Sequence, residues 1–506
     1  MKLYPKAGKP AIALVLICII ITCVATGCGN VATTSDSAQD ASKPFHLSMM
    51  TWFESAEPPK EDNVLVHELE KRTNTKLDIT WVGLNYSEKL NVTIASDQLP
   101  MVTLVIDTKS PVIINAVRSN LFWDLTPYLQ DYSNLSHLDG KLLYNSSIDG
   151  KTYGIYRPRY TARYGLFYRQ DWLEKLGLKE PTTMDELYEM LKAFTTGDPD
   201  GNGKQDTYGF ATSTTGAGSG LFNGVYPFEI MRGAPNGWGL IDGKMVPSFM
   251  TQEYLDNLKF LRRLYDEKII NQDFASSPNT KPEDEFVKGR VGIRSSALEN
   301  FTLPYLNTDL LQANPNAKVG VITRIQGQKG IRVQAGSGIN GMYMISKNAV
   351  KTEADLKRVL AFLNELNSDE MITMFNYGIE GSHYTVRDGM KTIDPTRANK
   401  EVYPVRHLGM SLPVTNNGTP LAKTVEQMLK DNVPYGVADP TTPLISNTFT
   451  ERGKTVTKII DDARVKFIMG DIDEKGWQAA KEEWKQQGGD RIMEEFTVEY
   501  YKYHHK

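Results

Sequence analysis

Two hydrophobic rhythms alternate along the first third of this chain, a period of two and a period of about 3.6 residues. Residues 46–53 (HLSMMTWF) read as a strand. Val64, Leu65 and Leu69 then fall at helical spacing within 62–74, and 76–82 (KLDITWV) form a second strand, which completes a βαβ unit. Residues 87–96 read as a helix, Asp97-Gln98-Leu99-Pro100 turns the chain, and 102–107 (VTLVID) are a third strand followed by a helix over 111–120. This alternation predicts an α/β fold with a parallel sheet and helices on both faces.

Farther along, 153–157, 165–168, 208–212, 291–295, 318–322 and 342–346 carry short strand patterns. Thr183-Met184-Asp185-Glu186 has the form of a capping box, with Pro181 in the turn before it and a helix running to about Phe194. Thr251 opens a helix with Leu255, Leu258, Leu261 and Leu264 along it. Residues 353–367 and 369–377 are helical, and the chain beyond Ala422 is mostly helical, ending in a helix over 490–505. No internal repeat is visible.

The longest apolar run, residues 11–24 (AIALVLICIIITCV), follows Lys2, Lys6 and Lys9 and precedes the small residues Ala25, Thr26 and Gly27. That is the pattern of a secretory signal. The run is shorter than the roughly 20 apolar residues of a spanning helix. Its end, Ala25-Thr26-Gly27-Cys28, resembles the lipobox of bacterial lipoproteins, although leucine is commoner where Ala25 stands. The resemblance implies a signal peptide over 1–27 and acylation at Cys28. Residues 28–44 are then a flexible tether, since 29–43 (GNVATTSDSAQDASK) have no large apolar side chain after Val31.

The three cysteines are Cys18, Cys23 and Cys28, so the body carries none and depends on core burial rather than disulfides. Cleavage would remove three of the 57 lysines and arginines and none of the 61 acids, taking the net charge from −4 to −7. With no basic stripe, nucleic acid is not an expected partner. The remaining length calls for two domains.

The sharpest local motif is Asp198-Pro199-Asp200-Gly201-Asn202-Gly203-Lys204-Gln205-Asp206. Asp198, Asp200, Asn202 and Asp206 stand at positions 1, 3, 5 and 9 of an EF-hand-type loop, with Gly203 at 6 and the Lys204 carbonyl at 7. Hard oxygens at alternate positions suit calcium, in a structural role. The glutamate of position 12 is absent, since Gly209 stands there, and a polar turn without metal is the alternative. Gly336-Ser337-Gly338-Ile339-Asn340-Gly341 matches G-x-G-x-x-G but precedes a strand, so it fails as a dinucleotide motif. No H-e-x-x-H or G-x-S-x-G signature is present. No catalytic residue emerges, and the protein is expected not to be an enzyme.

Several segments together resemble one family, the extracellular solute-binding proteins of ABC importers (family 1, LipO-like and alginate-binding-like). They are Tyr153-Gly154; Leu166-Phe167-Tyr168-Arg169-Gln170-Asp171-Trp172-Leu173-Glu174-Lys175-Leu176-Gly177-Leu178; Pro181-Thr182-Thr183; Gly233-Ala234-Pro235-Asn236-Gly237-Trp238; and Tyr377-Gly378-Ile379-Glu380-Gly381-Ser382-His383-Tyr384. The aspartate-rich loop lies where that family carries calcium, with Thr207 in place of its usual acidic residue. The resemblance implies a two-lobed periplasmic-binding-protein-like fold of type II, with a hinge between the lobes and a helical C-terminal region. Lobe one would be 45–157 plus 320–378, and lobe two 158–319 plus 379–506. It further implies a monomeric lipoprotein on the outer face of the cell membrane. Such a protein captures a carbohydrate, possibly an acidic oligosaccharide, in the interlobe cleft and delivers it to an ABC permease. A surface-anchored glycoside hydrolase and a sensing or adhesion lipoprotein are the alternatives.

Sugars need flat apolar faces and polar or charged groups for their hydroxyls. Trp238, in its Gly/Pro/Asn loop, is the candidate stacking platform. Trp52 and Glu54 end the first strand and Asp107 the third, where open α/β sheets take ligands. Arg157, Arg159, Tyr160 and Arg163 surround the expected first crossover, and arginines fork onto carboxylates. Glu380, His383 and Tyr384 are candidates for the cleft or hinge. Trp477 and Trp484 are expected in the core.

Overall fold

The computed structural model describes residues 43–55, 57–213, 225–278, 280–302, 304–387, 390–410 and 420–504. The signal segment, Cys28 and the tether up to residue 42 lie outside them. The body from Phe45 onward is one compact unit built on two sheets.

The first sheet begins with the expected βαβ run. β1 (Phe45–Trp52) pairs in parallel with β2 (Thr75–Val82) on one side and β3 (Val102–Val105) on the other. The helix Val64–Thr73 connects β1 to β2; Asn63 caps it by accepting the Leu65 and Val66 N–H groups, and Asn74, in the left-handed region, ends it. The sheet is completed by Ile339–Ile345, antiparallel to β3, and then β4 (Gly154–Pro158), antiparallel to that strand. The sheet is therefore mixed rather than all parallel, because Ile339–Ile345 returns from the other half of the molecule instead of through a βαβ crossover.

The second sheet has β5 (Tyr164–Arg169) antiparallel to both Val291–Ala297 and Val319–Ile322, with β6 (Tyr208–Phe210) parallel to Val291–Ala297 at its edge. Period two decides its burial: Leu166 and Tyr168 of β5 enter one core and Phe167 another on the opposite face. The Thr183 capping box forms as the sequence predicts and starts the helix Met184–Thr196, which buries Leu187, Leu191 and Phe194.

Three buried clusters follow. The first draws on β1 to β4, Ile339–Ile345 and the helices Glu353–Leu366 and Asp369–Tyr377. The second gathers the inner face of the second sheet, the helix Gln252–Asp266 and the C-terminal helices Asn447–Met469, Glu474–Trp484 and Asp490–His504. Trp477 and Trp484 are core residues there, as expected. The third covers the other face of the second sheet and includes Val425 and Leu429. Ala398, Val402, Val405, Leu408 and Met410 pack in the first cluster, although their segment follows residue 379, where the sequence reading begins its last piece of lobe two.

Candidate functional site

The topology brings four strand ends to one edge of the first sheet. β1 and β3 run parallel, so Trp52 and the residues after Val105 lie at the same edge. Ile339–Ile345 runs the opposite way and starts there, and β4 reverses once more and ends there with Arg157 and Pro158. The backbones approach closely: a Cβ on Gly341, whose φ is +80°, would lie 2.6 Å from the Val105 carbonyl oxygen.

Arg157 is the centre of this edge. It is buried, and its guanidinium donates to the Gly409 carbonyl (3.1 Å), the Asn340 carbonyl (3.4 Å) and His407 Nδ1 (3.2 Å). Burial lowers its pKa. Because Nδ1 accepts, His407 is the neutral Nε2–H tautomer. Burial, and next the charges of Arg157, Arg406 and Arg159, hold the imidazole well below its usual range. The Trp52 ring lies 4.6 Å from the His407 ring at 32°. The Tyr343 hydroxyl donates to the His407 carbonyl (2.7 Å), which further fixes the 403–408 turn across the sheet end.

Around this centre sit the groups that reach solvent. Arg159 donates to Asn340 Oδ1 (2.9 Å), while its buried Nε has no partner; burial and the neighbouring Arg163 lower its pKa to about 10. No carboxylate among the described residues lies within ion-pair distance of Arg157 or Arg159. Glu54 pairs with Arg406 and stands 3.6 Å from His407 Nε2. Asp107 is open to solvent yet walled by protein, and burial raises its carboxyl pKa against the opposing backbone N–H groups of Lys109 and Ser110. Lys109 donates to the Ser147 carbonyl and to that of Pro443 (3.3 Å), and burial lowers its pKa to about 8.

The structure thus brings together Trp52, Glu54, Asp107, Arg157 and Arg159. The other candidates lie apart from this cluster or are engaged by the protein. Arg163 is buried against Glu299, with Nε to Oε1 at 2.6 Å. Tyr160 packs on the third core. His383 is fully buried; its Nδ1 accepts the Ile379 N–H (3.0 Å) and its Nε2 meets Glu401 at 2.7 Å. Tyr384 is buried beside Tyr377, and Glu380 is exposed. Trp238 starts a short hairpin strand, Trp238–Ile241, and packs against Phe496 of the C-terminal helix.

Asn340, Arg406, His407 and Lys109 were not among the residues chosen from sequence. One signal did point to Asn340: the glycine run 336–341 is useless for a dinucleotide but marks a close approach of backbones. Nothing local marks His407, which lies 250 residues from Arg157.

In the aspartate-rich loop, Asp198 Oδ1 accepts the Asn202 N–H (3.0 Å) and Oδ2 that of Gly203 (3.2 Å). The Asn202 amide nitrogen lies between Asp200 (2.7 Å) and Asp206 (3.1 Å). Burial and the carboxylates of Asp198 and Asp206 raise the pKa of Asp200. Among the described residues no three acidic, histidine or cysteine side chains are arranged to hold a metal ion.

Comparison with known proteins adds the family. The model of the bacterial extracellular solute-binding proteins matches residues 55–372. Lipoprotein LipO of Bacillus subtilis is 36% identical over 488 residues, covering 94% of this chain and 95% of the relative. The polygalacturonan/rhamnogalacturonan-binding protein YtcQ of the same organism is 36% identical over 505 residues, covering 97% and 98%. In fold, the chain is similar to the Streptococcus pneumoniae substrate-binding protein FusA in complex with kestose (TM-score 0.71, 19% identity, 91% and 99% covered). It is also similar to the alginate-binding protein AlgQ2 without calcium ion (TM-score 0.69, 19% identity, 90% and 98% covered). The chain belongs to the bacterial extracellular solute-binding proteins, and its fold is the two-lobed α/β architecture of that family.

Proposed function

We propose that this protein captures an acidic oligosaccharide at the edge of its first sheet, as the lipid-anchored binding component of an ABC importer. The observation that carries the reading is Arg159, half-buried beside Arg157 and His407 and in no ion pair with a carboxylate among the described residues. A guanidinium in such a place offers a sugar carboxylate two parallel hydrogen bonds. Trp52 supplies an apolar face, Asp107 and Asn340 accept or donate to hydroxyls, and Arg157 positions His407 and Asn340. The resemblance to a polygalacturonan/rhamnogalacturonan-binding protein supports the same ligand class.

The lobes follow the cores: 45–158 with 339–410 in one, and 164–325 with 420–504 in the other. Ligand would enter between them and closure would present a surface to the permease. Cys28 would hold the protein to the outer membrane face through acyl chains, each buried CH₂ contributing about 0.8 kcal/mol. The aspartate-rich loop suits calcium chemically, since Asp198, Asp200, Asp206 and the Asn202 amide supply hard oxygens whose mutual repulsion a cation would relieve.

Calorimetry of the soluble body against galacturonate oligomers and neutral fructose oligomers tests the ligand class. Heat with the acidic set and none with the neutral set is expected. Equal heats, or heat from neutral sugars alone, would sink it. A protein that releases reducing ends from those oligomers would instead be a hydrolase.

A further inference from the structure

A pocket of about 360 Å³ opens on the other half of the molecule and shares no residue with the sheet-edge site. Its walls are the loop after Met231, the hairpin that starts at Trp238, and the segments around Lys329 and Pro440. Trp238 forms one wall and is partly open to solvent. Its ring is held by an edge-on contact with Phe496 (4.9 Å, 70°) and by Trp484 at 6.4 Å. Pro235 and Pro440 add apolar surface. The opposite charges at the rim, Glu253 and Lys329, are paired with each other at 2.6 Å.

That pairing leaves Arg332. Its guanidinium donates to the Ala234 carbonyl (3.2 Å), its buried Nε has no partner, and no carboxylate among the described residues forms an ion pair with it. Burial lowers its pKa, which Glu253 only partly offsets. A cation that folding half-desolvates and leaves without an ion-pair partner is costly unless something outside the chain completes it. The pocket offers that completion: an aromatic plane for the C–H face of a pyranose, and a guanidinium for a carboxylate on the same ring. Its volume lies at the small end of ligand pockets and suits one or two sugar units.

We propose that this pocket is an accessory binding site for a carboxylated sugar, with Trp238 as the stacking face and Arg332 as the carboxylate anchor. The site stands apart from the sheet-edge reading, and either can fail without the other.

The test uses the soluble body labelled with 5-fluorotryptophan. Its seven tryptophans give separate fluorine resonances, with Trp238 and Trp52 assigned by single Trp→Phe variants. D-galacturonate is titrated, with D-galactose as the uncharged control. The expected result is a saturable shift of the Trp238 resonance with galacturonate and none with galactose. Arg332→Met should remove that shift, and Arg332→Lys, which keeps the charge but loses the fork, should weaken it about tenfold. A Trp238 resonance that stays still, that moves equally with both sugars, or that titrates unchanged in Arg332→Lys overturns the proposal. If Arg332→Met loses spectral dispersion through misfolding, Arg332→Lys decides alone. Trp52 reports the sheet-edge site in the same spectra, so movement of Trp52 with a still Trp238 rejects this pocket and leaves the other reading intact.

Discussion

Burial perturbs different groups in the two halves of this molecule. Around the first core the enclosed groups are basic: Arg157, Lys109 and the neutral His407, all with pKa values lowered chiefly by burial. In the second half the buried arginines Arg163, Arg169, Arg294 and Arg464 each pair with a carboxylate, and burial raises three carboxyls. Glu229 is raised to about 8, with the Arg464 charge opposing, and Asp461 and Asp439 are raised to about 6. Desolvation acts on both sets, and in each it disfavours the ionised form. The difference teaches where ligand chemistry can reside. Of these carboxyls, Glu229 sheds its charge by keeping a proton at neutral pH, and Asp461 and Asp439 do so below about pH 6. An arginine cannot do so at any ordinary pH, so the guanidiniums without an ion-pair partner among the described residues, Arg159 at the first sheet's edge and Arg332 in the Trp238 pocket, are the groups that gain most from an anionic ligand.

The linkage signs are opposite. Glu229 has a folded pKa above its ordinary value of 4.5, so the native state holds a proton that the unfolded chain has lost. Its cost therefore grows as pH rises from about 4.5 to 8, and stability falls over that window. His407 has a folded pKa well below 6.5, so the unfolded chain takes up a proton that the native state does not. Stability from that side falls as pH drops below 6.5.

The comparison can be broken in four ways. The largest effect expected is on binding: Arg159→Met should weaken an acidic oligosaccharide by about a hundredfold, on the scale of losing a desolvated charged contact, with thermal stability little changed. Calorimetry and a melting curve on the same sample check this, and an unchanged affinity removes Arg159 from the site. Next, Glu229→Gln should stabilise the protein by about 2–4 kcal/mol at pH 8 and by about nothing below pH 4. Denaturant titration at the two pH values reads it, and a gain that does not depend on pH would mean Glu229 is ionised in the fold. Gly341→Ala combines a positive φ with the approach to the Val105 carbonyl oxygen. It should cost about 1–3 kcal/mol and weaken the first sheet selectively, as hydrogen exchange along β3 would show. Thr183→Ala removes the side-chain half of a capping box, leaving the Thr183 N–H on Glu186, and should cost about 1 kcal/mol, confined to the second half; equal loss of protection in both halves would show that they unfold together.

Local order was legible because it rests on neighbours a few residues apart. β1, β2 and the helix between them need only their own periodicity and the caps at Asn63 and Asn74. The Thr183–Glu186 box forms within one turn. Segments of mixed pattern were harder. The hairpin at Trp238–Ile241 is held by packing on the C-terminal helix, whose Thr497 hydroxyl accepts the Met245 N–H at 2.8 Å. The helix Gly140–Ser146 and the turns over 395–408 likewise depend on what covers them.

The chain by itself determined its class, its first βαβ run, the aspartate-rich loop and the family segments, because burial period, capping and ligand spacing are properties of short stretches. Only the tertiary structure decided which charged groups meet. Trp52, Asp107, Arg157, Asn340 and His407 come from strand ends and a turn spread over most of the body, and one returning antiparallel strand sets them side by side. The same holds for Trp238. Its loop advertised a sugar platform, but packing against Phe496 set its ring on the far half of the molecule, lining one pocket with Arg332 rather than beside Arg157. Pairing between distant segments fixes such neighbours, and no local pattern encodes it.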